Sequence, residues 1–109
     1  MILEEARRLD SENLPDHGNA VYMFREWEDD GRICIRIGCT STPSKRVKQH
    51  VQAGRRREDL VGMWSVDSKF GVESELRGAF KINCRVYIHR DRFIFDVSTW
   101  GNLLGSICS

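Results

Sequence analysis

From Ile33 to Ile37 every second residue is isoleucine, and the run stops at Gly38. That two-residue period marks a strand with one apolar face. Upstream, Ala20 to Trp27 holds Val21, Tyr22, Met23, Phe24 and Trp27, a second strand-forming run. The connection between them, Glu28-Asp29-Asp30-Gly31-Arg32, contains in Gly31 a residue free to take the positive φ that a tight hairpin needs. Two antiparallel strands are therefore expected.

The punctuation after Gly38 predicts a helix from Pro43 to Ala53, with Thr42 at its N-cap, Pro43 where a missing amide hydrogen costs nothing, and Gly54 ending it. Leu60 to Val66 reads as a third strand. Asp67 or Ser68 can cap a second helix over 69–81, on which Val72, Leu76 and Phe80 recur at helical spacing. Residues 84–96 read as extended with a turn near Arg90-Asp91, and the last dozen as a short helix or coil. Ile2, Leu3, Ala6 and Leu9 predict an amphipathic helix over 2–14, ended by Pro15 and Gly18. This order gives an α/β (α+β) fold, with a small, mainly antiparallel, three-stranded sheet flanked by helices.

At 109 residues the chain suits one domain with one core. No apolar run reaches the roughly 20 residues of a membrane-crossing helix, and the start lacks the pattern of a secretory signal, so a cytoplasmic location is expected. Cys34, Cys39, Cys84 and Cys108 form no Cys-x-x-Cys pair and read as reduced thiols; Cys34, Cys39 and His50 match no common zinc module. The net charge of +1 conceals a segregation. Residues 1–30 carry nine acidic side chains against three basic ones, whereas residues 31–57 carry eight basic side chains and no acid. A cationic block of that kind attracts polyanions, and it offers Lys45, Lys48, Arg55, Arg56 and Arg57 as contacts to a phosphate backbone, although a solvated helix face would carry the same charges.

Several side chains have the chemistry of a site, and each has a plainer reading. On the helix after Pro43, Val47 and Val51 define the buried side, and Arg46 and His50 form a stripe along its border. A guanidinium fork with an imidazole one turn away can grip a phosphate and relay a proton, or both can be solvated. Glu73 lies near the buried edge of the second helix, where a carboxylate needs a partner, either Arg77 or a metal ion. Tyr22 is a strand aromatic that serves a core or a site equally well.

Taken in order, Ala20-Val21-Tyr22, Arg36-Ile37-Gly38, Arg46 with His50, and Glu73 resemble the GIY-YIG nuclease family over about residues 19–96, in particular its small phage-associated branch with a (Lys/Arg)-Ile-Gly second signature. The segment from Glu73 to Phe80 resembles that branch's Glu-x-x-Leu-His-x-x-Phe helix, and Asp91-Arg92-Phe93 resembles its closing turn. The chain departs from the family at Ala20, at Arg36 in place of the second tyrosine, at Arg77 in place of a histidine, and in its late asparagine, for which Asn83 is the nearest counterpart. The resemblance implies a nuclease domain over 19–96 between an N-terminal helical extension (1–18) and a C-terminal helix or coil (97–109). It further implies a DNA endonuclease in which Glu73 holds Mg²⁺ or Mn²⁺, Tyr22 positions or deprotonates the attacking water, with cations such as Arg46 lowering its pKa, Arg46 and Arg36 neutralise the phosphate, and His50 assists proton transfer. Target choice would then come from the Arg55-Arg56-Arg57 loop, from the N-terminal helix, from self-association as a homodimer, or from a targeting partner. The alternatives are a DNA-binding module of the same fold without catalysis and a small protein-interaction domain.

Overall fold

In the computed structural model, residues 2–108 are described, and Met1 and Ser109, the outer ends of the expected terminal segments, lie outside the described residues. The elements run β1 (Arg7–Arg8), β2 (Ala20–Asp29), β3 (Arg32–Thr40), α1 (Pro43–Gln52), a 3₁₀ turn (Arg57–Asp59), β4 (Leu60–Ser65), α2 (Lys69–Asn83), β5 (Val86–Ile88), β6 (Arg92–Asp96) and α3 (Val97–Cys108). The strands form one six-stranded antiparallel sheet in the order β1-β4-β2-β3-β6-β5. The α+β class holds, with six strands rather than three. The extra strands are two or three residues long in β1 and β5 and five in β6, too short to leave a clear period in the sequence.

The hairpin of β2 and β3 is the centre of the sheet, and Asp30 and Gly31 both take positive φ at its tip, 51° and 74°, as a two-residue primed turn requires. The alternation along these strands divides the protein into two layers. Val21, Met23, Ile33, Ile35 and Ile37 face α2 and α3, packing with Leu76, Phe80, Phe93, Phe95, Trp100 and Leu103. Tyr22 and Phe24 face the other way, against Val47 of α1 and Met63.

The helix expected over 2–14 is not formed. Residues 2–6 are turn or bend, and β1 pairs with β4. The reason is where the apolar residues go: Leu3 enters the α3 layer, its amide donating to Ile107 O at 2.9 Å, whereas Leu9 enters the α1 layer, its amide donating to Met63 O at 2.8 Å. The segment wraps the sheet edge and feeds both faces, which a single helical stripe cannot do. On α1 the buried residues are Pro43, Val47 and His50, and Val51 is exposed, so the helix is turned to put His50, not Val51, against the sheet. Thr42 occupies the N-cap position without a side-chain cap, and its backbone amide donates to Thr40 Oγ1 at 3.0 Å. Among the described residues no helix is long and apolar enough to cross a membrane.

Candidate functional site

The candidate site forms where β3 outruns its neighbour. Pairing of β3 with β6 stops at Arg36 opposite Arg92, so Ile37 to Thr40 extend past β6. The last tie on that side is the Ile37 amide donating to Asp91 O at 2.8 Å. The pocket beside this margin is lined by Arg36, Arg46, Gln49, His50, Ala53 and Arg55, and Glu73 of α2 is not among its lining residues.

Tyr22 pairs across β2 and β3 with Gly38, and its ring lies over the glycine. A Cβ added at Gly38 would stand 2.8 Å from Tyr22 Cε2 and closer still to Cζ and Oη. Gly38 is therefore a glycine because the phenol occupies the volume of a side chain. The Tyr22 hydroxyl ends 3.0 Å from Nε2 of His50, and the imidazole is stacked at 4.6 Å from the Phe24 ring and is only 6% exposed. Burial, followed by the fields of Arg55, Arg36 and Arg46, pulls the His50 pKa down to about 4, so the ring is neutral at pH 7. A neutral Nε2 can accept the Tyr22 proton. The Tyr22 pKa is raised, not lowered: its own burial outweighs Arg46 and Arg36, and Cys39 and Glu73 add to the rise. The expected lowering of the Tyr22 pKa by cations such as Arg46 is not met, because they do not compensate for desolvation.

The folded pKa of His50 is depressed, so between about 6.5 and about 4 the unfolded chain binds the proton more readily and stability should fall with falling pH. From that shift the loss is on the order of 2–3 kcal/mol. Denaturant unfolding of wild type and His50→Gln at about pH 7.5 and about pH 4.5 should show the variant losing most of this part of the pH dependence.

The cations around this pair divide into engaged and free. Glu26 sits at a register shift of β2 between Arg25 and Trp27, a bulge that re-aims its carboxylate. It holds Arg55 at 2.8 Å and lies 3.7 Å from Arg36 and 3.9 Å from Arg92. Arg36 is also bound to Asp91 at 3.2 Å. Arg46 is different. It makes no ion pair among the described residues, and its Nε is buried without a hydrogen-bond partner. Arg36, Arg46, Gln49, His50, Ala53 and Arg55 line an open pocket of about 280 Å³. Of the remaining expected phosphate contacts, Lys45 and Lys48 are exposed on α1, Arg56 is paired with Glu58 and Asp59, and Arg57 donates to Ser11 O at 3.4 Å. The cationic block is thus partly neutralised, by the distant acids Glu26 and Asp91 and by the nearby Glu58 and Asp59.

Glu73 on α2 is 9% exposed and its Oε1 lies 3.3 Å from Nη2 of Arg77. The carboxylate also raises the pKa of the Cys39 thiol, after that thiol's burial, and of Tyr22. It therefore lies within electrostatic reach of the phenol, with Arg77 on one side. Asn83 donates to Ala79 O at 2.7 Å, inside its own helix turn. Among the described residues no group of three or more His, Cys, Asp and Glu could hold a metal, and Cys34 and Cys39 belong to opposite faces of β3, so the three residues weighed for zinc do not assemble.

Sequence reasoning missed Glu26. Its importance comes from four-way geometry around Arg36, Arg55 and Arg92, and the only local signal was an acid at even strand parity with Tyr22 and Phe24.

Comparison with known families finds that the T5orf172 domain matches residues 19–108. No curated protein and no solved structure matches.

Proposed function

Because the chain belongs to the T5orf172 domain family, we propose that it acts on DNA as a metal-dependent endonuclease of GIY-YIG type, with Tyr22, Arg46, His50 and Glu73 as its working residues. The observation that carries this reading is Arg46: a guanidinium with a buried, unpartnered Nε beside a hydrogen-bonded tyrosine and a neutral histidine. Burying such a donor unsatisfied costs about 1–3 kcal/mol, a cost that a phosphate oxygen removes.

In the reaction a water oxygen attacks the phosphorus and the bond to the 3′ oxygen breaks, leaving a 5′ phosphate and a 3′ hydroxyl. Arg46 grips a non-bridging oxygen, where charge grows as the phosphorus becomes five-coordinate. Arg36, held by Asp91 and Glu26, contributes field rather than a free fork. The Tyr22 hydroxyl donates a hydrogen bond to the neutral His50 Nε2 and keeps its proton, which leaves the phenol oxygen's lone pairs to accept from the water and orient it. Glu73 is the residue that would hold Mg²⁺ or Mn²⁺, an ion that supplies Lewis-acid stabilisation of the phosphate and of the departing oxygen. Lys45 and Lys48 lie free on the surface to contact the backbone on either side. One such site cuts one strand, so a duplex break calls for two copies or two events, and self-association or a partner protein would supply target choice.

A DNA-binding role without cleavage is favoured by two observations, the Glu73–Arg77 bridge and the raised Tyr22 pKa. Incubating supercoiled plasmid with pure protein and Mg²⁺ or Mn²⁺ separates the readings. Nicking should occur, and Arg46→Ala should slow it by about 10²–10³-fold with the thermal melt unchanged. Wild-type protein that binds plasmid but never nicks it leaves the binding role, and nicking untouched by Arg46→Ala removes Arg46 from the site.

A further inference from the structure

A second concave surface lies between α2 and the turn joining β5 to β6. Ser74, Arg77, Gly78, Lys81, Tyr87 and Arg90 line an open cavity of about 460 Å³, larger than the pocket at Arg46. Among the described residues no carboxylate lines it, so three cations face one space. Ser74, Arg77, Gly78 and Lys81 fall on one stripe of α2, and Gly78 leaves its floor bare: a Cβ there would meet nothing within 4 Å. The wall is Tyr87, 51% exposed, steadied by Phe93 at 6.1 Å between ring centroids and with Lys81 Nζ 5.1 Å from its own. His89 at a φ of 58° and the Ile37–Asp91 backbone bond fix the turn that carries Arg90.

This surface is coupled to the candidate site at two points. Arg77 reaches from it to Glu73, and Asp91, next to Arg90, holds Arg36. Arg77 also has a buried Nε without a hydrogen-bond partner.

We propose that this groove binds a single-stranded DNA segment, the backbone phosphates on Arg77, Lys81 and Arg90 and one unpaired base against Tyr87. Cations beside an accessible aromatic ring are the elements by which proteins hold single strands without sequence preference. A base can lie against that ring only when it is unstacked from its neighbours, so a paired duplex is the poorer fit. The inference rests on the DNA reading above and gives it a place for the strand beside the reacting phosphate.

The test is fluorescence anisotropy of a labelled oligothymidine in EDTA, where cleavage is blocked, using Tyr87→Ala, Gly78→Gln to fill the floor, and Gly78→Ala as a control that adds only a methyl. Glutamine and alanine both favour the helix over glycine, so folding is preserved, and a thermal melt verifies it. Tyr87→Ala and Gly78→Gln should each weaken binding by about tenfold or more, with Gly78→Ala close to wild type. Wild-type affinity in either of the first two variants, no binding by wild type up to about 100 µM at low salt, or tighter binding of a matched duplex overturns the proposal. The plasmid assay keeps the two readings separable: nicking with an unused groove refutes only the groove, and groove-dependent strand binding without nicking refutes only the nuclease.

Discussion

Glu73→Gln should abolish metal-dependent nicking, lowering the rate by about 10³-fold or more, while DNA binding and the fold survive. The amide has the volume of the carboxylate and can still accept from Arg77 Nη2, now 3.3 Å from Oε1, so little packing is disturbed. What disappears is the negative charge that would hold a divalent ion against the phosphate. Arg77 complicates the expectation in a useful way. If the bridge to Arg77 restrains Glu73 from a metal, Arg77→Ala should lower the Mg²⁺ concentration needed for half-maximal nicking; if Arg77 instead acts on the phosphate, the same variant should slow nicking at every Mg²⁺ concentration. Plasmid nicking across a Mg²⁺ series with the two variants reads out both effects, and full activity in Glu73→Gln would remove that residue from the mechanism.

Gly38→Ala should be the most damaging single-methyl change in the chain. The added carbon would fall 2.8 Å from Tyr22 Cε2 and nearer to the rest of the phenol, so the ring must move. Tyr22 is buried against Phe24 and the ring has little space to retreat, and overpacking of this kind costs about 1–3 kcal/mol. The displacement also breaks the 3.0 Å bond between the Tyr22 hydroxyl and His50. Nicking should therefore fall further than Tyr22→Phe, which loses only the hydroxyl. The double variant Gly38→Ala with Tyr22→Ala vacates the clashing volume and should recover stability relative to Tyr22→Ala with Gly38 intact, but no activity. Denaturant unfolding of the four proteins measures the coupling, and additive effects would show that ring and methyl do not collide.

Much of the architecture was legible because its signals are local. The isoleucine alternation and Gly31 specify the central hairpin, Pro43 and Gly54 bracket α1, and the Val72, Leu76, Phe80 stripe specifies α2, each read from neighbours within one or two turns of chain. The N-terminal segment misled for the same reason. Its helical spacing is genuine, but a stretch of this length is weakly helical alone, and burying Leu3 and Leu9 on opposite faces of a sheet was the stronger demand. Val51 and His50 exchanged places because periodicity ranks residues by polarity. It cannot know that a phenol across the interface will satisfy an imidazole nitrogen.

The sequence by itself determined the run from the central hairpin through α1 and β4 to α2, and the presence of Tyr22, Arg46, His50 and Glu73 at usable positions, since period, punctuation and residue chemistry are properties of short stretches. Only the tertiary structure decided what those residues meet. It laid the Tyr22 ring in the space a Gly38 side chain would fill, made Glu26 the anchor of Arg55, buried His50 as a neutral acceptor, and left the Arg46 Nε without a partner. Those outcomes depend on which atoms of distant residues share a volume and how much water is excluded from it, and neither quantity is written along the chain.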